Sequence, residues 1–147
     1  MSIHKVLDKQ GLDFLVDLVD AAGEAILAIY ACKDQLANTV KDDSSPLTEA
    51  DLASNDILLK GLSKRWPTIP VLSEESVNGF SDGEKPELYW AVDPLDGTKE
   101  FLKGNGEFTV NIALVVNGEP QIGVVGAPAL GLIYVGAYGD ILSLIHI

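Results

Sequence analysis

Between residues 8 and 35, apolar positions recur at helical spacing. Leu12, Leu15, Val16, Val19, Ala22, Ile26 and Ile29 fall on one side, and Asp8, Asp13, Asp17, Asp20 and Glu24 fall on the other. The spacing predicts a long amphipathic helix with a solvated acidic face. Gly23 lowers helix propensity there and allows a close approach by a neighbouring element. Residues 39–46 are polar and end in Pro46, which predicts a loop or hairpin. A second helix is expected from Thr48-Glu49-Ala50-Asp51, with Thr48 as N-cap and Asp51 three residues on as the acidic capping position. Ile57, Leu58 and Leu62 supply its apolar side, and residues 61–67 end it at Pro67.

The pattern then changes to short extended runs. Residues 69–72 predict a strand that delivers Ser73-Glu74-Glu75-Ser76 at its end. Residues 77–87 are rich in glycine and mixed charge and read as an exposed excursion. Residues 88–92, Leu-Tyr-Trp-Ala-Val, carry no charge and predict a buried strand, which empties into Asp93-Pro94-Leu95-Asp96-Gly97-Thr98. Thr98 is placed as the cap of a short helix from Lys99, ended by Gly104-Asn105-Gly106. Residues 108–116, the turn Asn117-Gly118, residues 121–125, a turn at Pro128 and Gly131, and residues 132–138 predict an antiparallel meander. The apolar tail, residues 139–147, reads either as an edge strand or as a truncated or altered end. Helices and strands together predict a layered α/β (α+β) fold.

A chain of 147 residues with 47% hydrophobic content suffices for one domain with a real core. Its formal net charge of -12 argues against nucleic-acid backbone binding. A nucleotide substrate stays open, because a bound cation reverses the local field. The single cysteine, Cys32, allows no internal disulfide; it lies in the apolar helical pattern and is expected to be buried and structural. The first eight residues turn acidic without a continuous apolar core, so no secretory signal is expected. No run is long enough for a membrane span. His4 and His146 lie near opposite ends and are not expected to share a metal.

The chemistry concentrates where strands deliver carboxylates. Asp-Pro and Asp-Gly are common turn formers, so two aspartates there admit a plain turn. A buried strand that empties into two carboxylates also calls for a cation, and Lys99 is the only basic residue immediately beside them. Mg²⁺ suits that set, being hard and oxygen-seeking. Asp51 reads equally as first-turn helix electrostatics or as a further carboxylate facing the metal. If Glu74, Asp93 and Asp96 converge, with the Leu95 carbonyl beside them, they suit phosphoryl transfer to water. The amides of Gly97 and Thr98 would then hold the phosphate. A glycine-rich loop ending in Lys-Ser or Lys-Thr is absent, and the EF-hand spacing is not met. An aspartyl-phosphate route through Asp93 remains open; the Glu74-Glu75 pair favours attack by water.

Glu74-Glu75-Ser76 followed by Trp90-Ala91-Val92-Asp93-Pro94-Leu95-Asp96-Gly97-Thr98 resembles the inositol monophosphatase superfamily of magnesium-dependent, lithium-sensitive phosphatases. Lys99-Glu100-Phe101, the run from Gly106 to Leu114 and the run from Lys41 to Asp51 are similar to the bacterial 3'(2'),5'-bisphosphate nucleotidase branch. The resemblance implies an αβαβα sandwich. It implies metal ligation by Glu74, Asp93, the Leu95 carbonyl and Asp96, with Asp93 bridging two Mg²⁺ ions. Asp51, Glu74 and Thr98 would serve catalysis, and Gly97 and Thr98 would cradle the scissile phosphate. The implied substrate is adenosine 3',5'-bisphosphate, cleaved to AMP and phosphate in sulfur metabolism. The implied location is the cytoplasm, with peripheral attachment at the inner membrane as a variant.

Members of that family are nearly twice as long, and a C-terminal half supplies a further metal-binding aspartate in a Trp-Asp motif. No Trp-Asp pair occurs in this sequence. The expectation is therefore an N-terminal metal- and phosphate-binding half, with residues 140–147 altered or truncated and association through the face left bare. An inositol or sugar monophosphatase of the same superfamily is the nearest alternative. An inactive metal-binding or structural fragment is the other.

Overall fold

The computed structural model describes residues 8–32, 45–73, 86–137 and the backbone of residues 140–146. The first helix, α1 (Lys9–Ala31), starts at Asp8, whose carboxylate accepts a 2.7 Å bond from the Gly11 N–H. A second helix follows, α2 (Pro46–Arg65), and then a three-residue strand, β1 (Val71–Ser73). The acidic stretch closes β2 (Leu88–Asp96) and leads into the short helix α3 (Thr98–Lys103). Strands β3 (Thr109–Val116), β4 (Glu119–Ala127), β5 (Leu132–Ala137) and β6 (Asp140–His146) complete the order, with a 3₁₀ turn at Pro128–Leu130.

The six strands form one sheet in sequence order. β1 and β2 run parallel and all later neighbours run antiparallel. Asn117 and Gly118 both take positive φ, 51° and 82°, which matches the right-handed twist of the β3–β4 hairpin they close. Alternation then sorts the strands into two faces. Trp90, Val92, Ile112, Leu114, Val124 and Val135 point to the core, where Leu15, Val19, Ala22 and Ile26 of α1 and Leu58 and Leu62 of α2 meet them. Helix and sheet approach closely because small residues stand at the crossing. A Cβ on Gly126 would lie 2.5 Å from Val19 Cγ1, and one on Gly23 would lie 2.9 Å from Pro128 Cβ. The other face carries Ala91, Ala113, Gly123 and Gly136 in one register row. These four are half-buried, and Ala91, Ala113 and Gly123 line an open groove of about 560 Å³ together with Asp93 and Asn111.

Several boundaries differ from the sequence expectation. α2 starts at Pro46, and Ser45, not Thr48, is its N-cap: the Ser45 hydroxyl accepts a 3.1 Å bond from the Thr48 N–H. Proline needs no N–H at the first helical position, so the Ser-Pro pair outcompetes the later threonine. Asp51 consequently sits in the second turn and is not a capping residue. α1 closes at Cys32, whose N–H bonds the Ile29 carbonyl at 3.0 Å. Cys32 is exposed rather than buried, because it lies at the cap, beyond the stripe that packs on the sheet. β2 does not end in a turn after Val92 but continues through Pro94 to Asp96. The tail's backbone pairs with β5 as an edge strand.

Candidate active site

The acidic stretch owes its geometry to a bulge. Asp93 pairs with Asn111 and Asp96 pairs with Thr109, so Pro94 and Leu95 together face the single residue Val110. Pro94 cannot donate to a ladder, and a bulge is where a strand tolerates it. The extra residue re-aims the strand: Pro94 and Leu95 turn their side chains inward, Asp93 is half-buried and Asp96 is exposed. The Leu95 side chain is buried beside the interrupted ladder.

Gly97 follows with φ 95°, a left-handed conformation that starts α3. A Cβ there would meet the Glu107 carbonyl at 3.1 Å and Phe108 Cα at 3.2 Å. Gly97, not Thr98, is the N-cap, and Thr98 is the first helical residue, exposed to solvent. The Phe101 N–H returns to the Gly97 carbonyl at 2.9 Å, and Gly104, with φ 74°, ends the helix. The fully buried Phe101 ring anchors α3, packing 5.4 Å from Phe108 and 5.2 Å from Tyr30 between ring centroids. The turn that presents Gly97 and Thr98 is thus fixed from below by an aromatic cluster.

The helix α2 reaches the same place from the side. Ser54, fully buried, donates a 2.7 Å bond to the Pro94 carbonyl inside the bulge. Asn55 accepts a 2.5 Å bond from the Ser73 hydroxyl at the end of β1. Asp51 lies one turn before Ser54, half-buried, with its Oδ1 withdrawn from solvent. Ser73 stands in register with Val92, so the strand ends that lead to Glu74 and to Asp93 are neighbours in the sheet. Glu74 and Glu75 themselves lie outside the described residues.

Asp93, Leu95, Asp96, Gly97 and Thr98 follow one another through one bulge and one turn, and α2 bonds that bulge through Ser54, one helical turn after Asp51. Among the described residues, no three His, Cys, Asp or Glu side chains converge as a ready metal cluster. The groups that the resemblance implies as ligands, carboxylates and one carbonyl, would all offer oxygen, which is the chemistry that Mg²⁺ takes. The sequence reading passed over Ser54, Asn55 and Asn111. Ser54 had a signal: it occupies the spacing Ala50, Ser54, Leu58, Leu62, a buried stripe in which a hydroxyl needs a partner. Asn111 had one as well, a polar residue in an apolar alternation; it is the register partner of Asp93, and its Nδ2 donates to Thr109 Oγ1 at 3.0 Å.

A profile of the inositol monophosphatase family matches residues 8–141. The chain belongs to the inositol monophosphatase family. It is 46% identical over 128 residues to the 3'(2'),5'-bisphosphate nucleotidase CysQ of Escherichia coli (strain K12), which covers 87% of this chain and 52% of that protein. It is 32% identical over 129 residues to the Nus factor SuhB of Pasteurella multocida, covering 88% of this chain and 48% of that one. The crystal structure of CysQ from Bacteroides thetaiotaomicron, a bacterial member of the inositol monophosphatase family, superimposes with a TM-score of 0.82 at 37% identity, covering 97% of this chain and 51% of the other. The chain thus spans about half the length of the family members it matches, and the α+β fold expected from the sequence is theirs.

Proposed function

We propose that this chain carries the metal- and phosphate-binding part of a Mg²⁺-dependent 3'(2'),5'-bisphosphate nucleotidase, which cleaves adenosine 3',5'-bisphosphate to AMP and phosphate. The observation that carries this reading is the likeness to CysQ nucleotidases over 87% of the chain, spanning the bulge with Asp93 and Asp96. The likeness to SuhB is weaker over a similar stretch, which favours the nucleotidase branch.

Asp93, Asp96, Glu74 and the Leu95 carbonyl would hold the metal. Bound Mg²⁺ neutralises phosphate charge and makes water a better nucleophile at neutral pH. That neutralisation matters here, because a chain of net charge -12 otherwise repels an anionic substrate. The N–H groups of Gly97 and Thr98 would hold oxygens of the 3'-phosphate. Asp51 and the Thr98 hydroxyl would orient the attacking water and take its proton. The water oxygen bonds to phosphorus, the bond from phosphorus to the 3' oxygen breaks, and that oxygen leaves with a proton. The 5'-phosphate stays on the product.

Product analysis tests the substrate directly. Adenosine 3',5'-bisphosphate and inositol 1-phosphate are offered separately with Mg²⁺, and nucleotides are resolved by chromatography. AMP carrying its phosphate at the 5' position, formed faster than inositol, supports the reading. Faster release from inositol 1-phosphate would replace it with the sugar-phosphatase alternative.

A further inference from the structure

Ser54 and Asn55 are adjacent on α2, yet they bond two different strands. A buried hydroxyl is costly without a partner, and Ser54 finds its partner 40 residues away, at the Pro94 carbonyl. That carbonyl belongs to the peptide joining Pro94 and Leu95, the two bulge residues that share one opposite residue on β3. Fixing this peptide plane fixes the direction in which the chain leaves it, and so the aim of the Leu95 carbonyl and of Asp96. Asn55 makes the matching contact to Ser73, itself only 2% exposed, at the end of the neighbouring parallel strand. One helical turn thereby ties the ends of β1 and β2 to each other and to Asp51.

We propose that Ser54 and Asn55 are positioning residues for the metal site: Ser54 sets the bulge that aims Asp93, the Leu95 carbonyl and Asp96, and Asn55 sets the end of β1 against it. This rests on the nucleotidase reading and extends it to residues that touch neither metal nor substrate. Groups that orient the donors of a metal site typically govern its affinity by tenfold or more.

The test uses the 147-residue chain, with Mn²⁺ as a paramagnetic probe of the Mg²⁺ site followed by electron paramagnetic resonance. Hydrogen exchange of residues 93–101 and thermal unfolding are read on the same samples. Ser54→Ala and Asn55→Ala are compared with Ser54→Cys, which keeps the size and a weak donor, and with Leu62→Ala, which removes packing from the same helix. Ser54→Ala is expected to weaken Mn²⁺ binding by about tenfold or more and to speed exchange in residues 93–101, with Ser54→Cys intermediate. Asn55→Ala is expected to weaken Mn²⁺ binding as well. Leu62→Ala is expected to lower the unfolding temperature while binding Mn²⁺ normally below it. Wild-type affinity in both alanine variants, unchanged exchange in Ser54→Ala, or equal weakening in folded Leu62→Ala would each overturn the positioning role alone. A wild-type chain that binds no Mn²⁺ would overturn the metal reading and this proposal with it.

Discussion

Gly97 shows how much of the site depends on single residues. Its φ of 95° disfavours any side chain, and a Cβ would also press on the Glu107 carbonyl and Phe108 Cα. Gly97→Ala is therefore expected to destabilise the fold by about 1–2 kcal/mol from the left-handed conformation alone, measured by urea unfolding. It should lower phosphate release more than that loss explains, because the same turn presents Thr98. Asp93 is the other sensitive position, half-buried and in register with Asn111. Replacing it with asparagine preserves shape and removes the charge. The expected outcome is metal affinity lowered by about tenfold or more with the fold intact, read by calorimetric Mg²⁺ titration beside circular dichroism.

Among the elements, the helix starts and the sheet crossing make the sharpest expectations. Ser45→Ala removes the N-cap bond of α2 and is expected to cost about 1 kcal/mol, seen as a lower urea midpoint at unchanged slope. Gly126→Ala drives a methyl group into Val19, a stiff β-branched residue at the α1 crossing, and is expected to cost about 1–3 kcal/mol by the same measurement. The elements also divide into those legible from sequence and those not. The β3–β4–β5 meander was legible, because Asn117-Gly118 and the turn at Pro128 and Gly131 are local signals that separate its apolar runs. The continuation of β2 through Pro94 was not, because a bulge breaks the period of two that reveals a strand. Thr48 was a plausible cap until Ser45-Pro46 offered a better one. The side-by-side parallel pairing of β1 with β2 rests on three residues of β1 and a long connection, which leave no local trace. Ser54 was overlooked because serine is usually a surface residue, and only its place in the buried stripe marks it.

For the whole molecule, one face of the sheet is closed by α1 and α2 and the other is lined by small and apolar residues around Asp93. On the proposed reading, cation binding by the carboxylates at the bulge would link site to fold. Mg²⁺ at a hundredfold excess over its dissociation constant is expected to stabilise the folded chain by about 2.7 kcal/mol, visible as a raised thermal midpoint, and Asp93→Asn is expected to remove about half of that rise or more. No described helix is long and apolar enough to cross a membrane. The family relationship and the fold are those of phosphatases about twice as long, so the decisive question is chemical. Phosphate release from adenosine 3',5'-bisphosphate by the purified 147-residue chain, with and without Mg²⁺ and beside Asp93→Asn, answers it most directly. Release that requires Mg²⁺ and disappears in the variant is the expected result; a folded chain that releases no phosphate, or releases it equally without the metal or without Asp93, would contradict it.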